Sequence, residues 1–174
     1  MINEALIDPE SSDSGYEWIE LHNAGGEDLC LDLWYLEVFK SDPDGGTQRA
    51  LPTGVTIEAG GYLLVFASGK NRAKPDGELH ANFKLSAGGE YLGFVRPNGR
   101  TVAHHFAMKY PKQRDDISYG VPVDWQRDAA STASVIAGPV YFLSPTPGAP
   151  NGDTLAGKVA KLAFSHSHGF YEEP

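Results

Sequence analysis

Hydrophobic and polar residues alternate in short runs along most of the chain before Lys109, with clusters of turn formers between the runs. INEALI, residues 2–7, reads as a first strand, and DPESSDSG after it is rich in residues that cap backbone groups or accept positive φ. In YEWIELHN, residues 16–23, Ile19 and Leu21 fall on one side of an extended chain, with Tyr16, Trp18, Glu20 and His22 on the other. A period of two places one face in the core, and the aliphatic face is the better candidate. Residues 29–39 read as one long strand or two short ones. SDPDGG supplies a hairpin-type turn at Asp44-Gly45. Residues 62–68, YLLVFAS, are nearly all apolar and predict a central strand covered on both sides. Asn98-Gly99 predicts a tight turn joining EYLGFV to TVAHHFAM.

Beyond Lys109 the pattern weakens. ISYGV reads as a short strand, residues 122–139 have no clear period, and YFLSPTPGAPNG is an extended closing segment whose prolines keep it out of a central ladder. Strand-like runs recur about every 8–12 residues, as in a sandwich or barrel. The expectation is one all-β domain over residues 1–152 with a tail.

Composition narrows the function. The 174 residues include 20 glycines and 12 prolines, which favours strands and turns over long helices. Fourteen basic residues face 23 acidic ones, for a net charge of −9. The densest basic stretch, residues 70–74, holds three basic side chains, so nucleic-acid binding is not expected. Nor is membrane insertion, for want of a long apolar run. Cys30 alone allows no internal disulfide, and its place between Leu29 and Leu31 predicts a buried thiol. No basic start or apolar run of signal length is visible at Met1, which suggests a piece of a longer protein.

The densest candidate chemistry lies on the second strand. Glu20 and His22 share a face, and Glu17 points the other way. Two ligands are too few for a metal, which needs three or four. The row is expected to face solvent. If it faces a ligand instead, Trp18, Glu20 and His22 form a stacking and hydrogen-bonding platform suited to a sugar ring. His104 and His105 point to opposite faces and cannot easily share an ion; His166 and His168 do share a side, but in the tail. Asp8, Glu10 and Asp13, and Asp42 and Asp44, cluster in turns without the spacing of a calcium loop. No nucleophile elbow, zinc-protease motif or phosphate loop occurs, so no catalytic residue, metal or cofactor is expected.

INEALIDP, EWIELHN, WYLEV, IEAGGYLLVFASGKN, FKLSAGGEYLGFVRPNGRTV, DISYG and PTPGAPNG, in that order, resemble the lamin tail domain of bacterial multidomain proteins over residues 1–152. The resemblance implies an immunoglobulin-like β-sandwich without catalytic residues. It further implies an interaction module, for protein or carbohydrate, in a secreted or envelope-associated protein; a structural spacer is the alternative. Leu33 stands before Trp34 where bacterial relatives usually carry a small residue, which puts the local turn in question. FSHSHGFYEEP, residues 164–174, resembles the start of a chitobiase-type C-terminal β-domain, which makes residues 153–163 a linker. Oligomeric state is left open, since an exposed edge strand could pair two copies.

Overall fold

A computed structural model describes residues 1–7, 17–39, 46–72, 77–106, 108–123 and 138–152. The strands are β1 (Ile2–Leu6), β2 (Trp18–His22), β3 (Leu29–Cys30), β4 (Tyr35–Phe39), β5 (Thr47–Ala50), β6 (Thr56–Ile57), β7 (Tyr62–Phe66), β8 (Leu79–His80), β9 (Tyr91–Val95), β10 (Val102–His105), β11 (Ser118–Gly120) and β12 (Val140–Phe142). One sheet has the order β12-β11-β1-β2-β7-β8 and the other β10-β9-β4-β5, with β3 and β6 as a small separate pair. Apart from the parallel β7–β8 pair the ladders are antiparallel. The fold is an all-β sandwich of the immunoglobulin-like kind, as expected.

Alternation decides what lies between the two sheets. Ile19 and Leu21 of β2 and Val65 of β7 meet Leu36 and Val38 of β4 and Leu92 and Phe94 of β9 in one buried cluster. Trp34 enters it at the start of β4 and stacks on Phe94 with ring centroids 4.5 Å apart. Aromatic pairs of this geometry add about 0.5–1.5 kcal/mol beyond their area.

Several expectations hold in detail. The Asn98-Gly99 turn forms, with Gly99 at φ 66° and the Asn98 side-chain oxygen accepting from the amides of Arg100 and Thr101. His104 and His105 do point apart: His104 pairs with core-facing Phe94, and His105 is exposed. Residues 29–39 resolve into two strands, because a turn at Asp32-Leu33 separates β3 from β4. Leu33 makes that turn at φ 63°.

Two expectations need correction. Cys30 is exposed, since Leu31 takes the buried side of this short segment and turns its neighbour outward. The central strand β7 buries Val65, but its other four side chains are only half-buried. The acidic clusters at Asp8, Glu10 and Asp13 and at Asp42 and Asp44, the linker 153–163 and the segment 164–174 with His166 and His168 lie outside the described residues.

Candidate functional site

Trp18, Glu20 and His22 do share one face of β2. The register sets them opposite Phe66, Leu64 and Tyr62 of β7. The face is not open to solvent, however: their exposures are 7%, 0% and 8%. The solvent-facing row and the surface platform expected from sequence are therefore corrected. Alternation shows which side chains share a side, but not what covers that side. Here Trp18 lies between Leu6 and Phe66 in the ladder, and His22 stacks on Tyr62 at 4.4 Å and 9°. Glu20 is covered by the closing segment after β12, whose Gly148 amide donates to Glu20 Oε2 at 2.5 Å.

That contact belongs to a larger clasp. Glu4 stands directly opposite Glu20 across the β1–β2 ladder. Glu4 Oε2 accepts from the amide and the hydroxyl of Thr146, both at 3.1 Å, and Glu4 Oε1 accepts from the Ser118 hydroxyl. An irregularity in register between Ile2 and Glu4 lets Asn3 reach the same face, where its Nδ2 donates to Glu20 Oε1 at 2.8 Å and to Asn151 Oδ1 at 2.9 Å. Asn151 Nδ2 in turn donates to the carbonyls of Val121, at 2.7 Å, and Asn3, at 3.1 Å. Gly120 makes room for this. A Cβ there would sit 2.5 Å from the Asn3 carbonyl oxygen and 3.0 Å from Asn151 Nδ2. Burial raises the Glu20 carboxyl to about 7, with the neighbouring Glu4 charge adding to the shift and the bonds from Gly148 and Asn3 opposing it. Burial raises Glu4 as well. Both carboxylates are acceptors for the chain's own donors, so the arrangement fastens the closing segment and presents no reacting group.

A second constellation has the outline of a nucleophile with its base. Ser68 Oγ lies 2.8 Å from His80 Nδ1, and His80 Nε2 lies 2.7 Å from Arg72 NH2 and 3.3 Å from Glu78 Oε2. Arginine can only donate, so the closer contact makes Nε2 an acceptor and leaves the ring proton on Nδ1. His80 then donates to Ser68 Oγ, which also accepts from the Lys70 amide at 3.3 Å. A base must accept the serine proton, so this polarity is the reverse of activation. The group ties the end of β7 to β8, with Arg72 and Glu78 paired at 2.8 Å beside it. Among the described residues no group of three or more His, Cys, Asp or Glu could hold a metal ion.

The outer face of the other sheet is different. Tyr35, Glu37 and Phe39 of β4 point away from the core there and are half-buried. Phe39 stacks on Tyr91 of β9 at 4.2 Å and 14°, and Tyr91 stacks on the exposed His105 of β10 at 5.8 Å and 25°. Three rings thus form a ladder across three strands. Gly93 permits it: a Cβ there would lie 2.5–2.8 Å from the Tyr91 ring and hydroxyl. Burial raises the Tyr91 hydroxyl, and the Glu37 carboxylate raises it further. Glu37 Oε1 accepts from Gln48 Nε2 of β5 at 2.8 Å. Planar polar groups thus flank a stack whose outer rings, half-buried Phe39 and exposed His105, reach the surface on either side of the buried Tyr91.

The ladder is not legible in the sequence. Period two signals the outward side of each strand, but the β10-β9-β4-β5 order that lines the rings up is a tertiary fact. Glu4, Thr146, Gly148 and Asn151 were missed for the same reason, since more than a hundred residues separate the two halves of the clasp. A family model described as Lamin Tail Domain matches residues 1–108. No curated protein matches the chain.

Proposed function

The chain belongs to the lamin tail domain family, non-catalytic immunoglobulin-like domains that often mediate interaction, and from that premise we propose that it is an interaction module which recognises a protein or a glycan through the outer face of the four-stranded sheet. The observation that carries this is the ring ladder Phe39–Tyr91–His105 with Glu37 and Gln48 beside it. Stacked rings offer apolar contact at low cost in conformational entropy, and an amide–carboxylate pair offers directional bonds. By contrast the row on β2 is buried, and its Glu20 holds the closing segment down. The setting that fits is a larger secreted or envelope-associated bacterial protein, with a chitobiase-type domain following the linker at 153–163.

The test compares wild type with the double variant Tyr35→Ala/Gln48→Ala on a glycan array and against candidate partner proteins. Binding that the double variant loses, and that the remote variant Asp28→Ala keeps, supports the module. Absence of any ligand in both screens would leave the spacer reading, in which the domain only positions its neighbours.

A further inference from the structure

Residues 91–114 contain five of the 14 basic residues and none of the 23 acidic ones. The structure turns this stretch into one edge of the sandwich. After β10 the chain keeps following β9 and the loop before it: the amide of Phe106 donates to the Leu92 carbonyl at 3.0 Å, Tyr110 to Glu90 at 3.0 Å and Gln113 to Ala87 at 2.7 Å. Arg96, Arg100, Lys109, Lys112 and Arg114 are therefore strung along a single border, and all five are exposed. The Arg96 guanidinium lies 5.6 Å from the Trp34 ring, and that of Arg114 lies 5.7 Å from the Tyr141 ring. Among the described residues the ion pairs gather at Glu78, and none involves these five.

We propose that this border binds a linear, carboxylate-bearing carbohydrate; the proposal rests on the interaction-module reading and names its ligand class. Charge favours an anion, since five exposed cations stand together in a chain of net −9, with acidic side chains along the border only where Asp115 and Asp116 follow Arg114 at the far end. Geometry selects among anions. An extended acidic peptide would add to the β10 edge by regular main-chain pairing, but the register shifts between Val102 and His104, and such an irregularity blunts strand addition. Recognition must then run through side chains. The His105 ring brings the aromatic ladder to the border where the cations stand. A sugar acid presents a C–H face to rings and a carboxylate to guanidinium and ammonium groups, matching both features. Duplex nucleic acid, with its dense phosphates, is opposed by the acidity of the remaining surface.

The experiment measures binding of polygalacturonate, neutral dextran, poly-L-glutamate and duplex DNA to wild type and to Arg100→Glu/Lys109→Glu/Lys112→Glu. Wild type should bind polygalacturonate above the other three, weakening as salt rises to about 0.5 M. The triple variant should bind it about tenfold or more weakly at unchanged melting temperature. Should the triple variant fail to fold, Arg100→Gln and Lys112→Gln, each neutralising one exposed charge, should each weaken binding. Equal binding of poly-L-glutamate or DNA, no binding of polygalacturonate, or indifference to these substitutions overturns the proposal. A neutral glycan or a protein that binds, is lost on Tyr35→Ala/Gln48→Ala and ignores the charge reversals would overturn it while leaving the module reading intact.

Discussion

Leu33 holds a left-handed backbone conformation at φ 63° and leaves 56% of its surface exposed. A side chain with a Cβ pays about 1–2 kcal/mol for that region, and burial returns little here. Glycine adopts it freely but gives up backbone entropy of about 0.5–1 kcal/mol. Leu33→Gly should therefore raise stability by about 0.5–1 kcal/mol, read as a higher urea midpoint at unchanged slope. A lower midpoint would mean that the leucine makes contacts which outweigh its backbone strain. The turn beside it is fixed from elsewhere: Asp32 Oδ1 accepts from the Gly54 amide at 2.7 Å. Asn23 works in the same way, with Nδ2 donating to the carbonyls of Glu27, Ile57 and Glu58 and Oδ1 accepting from the Gly25 amide. In both cases a short polar side chain of the kind that suits turns finds remote partners that only the fold supplies.

At the scale of elements the closing segment shows what a sequence reveals and what it hides. PTPGAPNG was legible as extended chain excluded from a central ladder, because its prolines fix φ and lack donors. Its role was not, because that role depends on Glu4 and Glu20 lying opposite one another beneath it. The strands themselves were read well where apolar residues recur with a period of two, as in β2 and β4. The covered face of β2 was misread because its lid comes from the far end of the described chain. Thr146 is the clearest probe of that lid, since its amide and hydroxyl both donate to Glu4 Oε2. Thr146→Val keeps the shape and the amide but removes the hydroxyl donor from a buried carboxylate, a loss of about 1–3 kcal/mol. Hydrogen exchange should show residues 145–151 opening before β1 and β2 do. Unaltered protection there would mean that the segment is held by packing alone.

Across the whole molecule, buried ionisable groups of opposite kinds make stability depend on pH in two opposing ways. Glu20 lies near 7 in the folded chain against 4.5 unfolded, raised chiefly by burial, with Glu4 on β1 as the charge facing it and Tyr62 on β7 nearby. Between those values the folded state holds a proton that the unfolded chain has released, so this contribution is complete below pH 4.5 and is lost as pH rises to about 7. Glu4, also raised, adds to the same slope. His104 lies near 4 against 6.5, lowered by burial first and then by the Met1 amino group and His105. Its contribution is complete above pH 6.5 and is lost as pH falls towards 4. In the wild type the two slopes oppose each other between pH 4.5 and 6.5 and partly cancel. Single variants should separate them. Glu20→Gln lowers stability overall, because an amide nitrogen now meets either the Asn3 or the Gly148 donor, but it reduces the decline towards pH 7 and leaves a curve that rises from pH 4 to 6.5. His104→Gln leaves the converse curve, falling from pH 4.5 to 7. Urea midpoints measured across this range decide the matter, and slopes unchanged from wild type in both variants would place the titrating groups elsewhere in the chain.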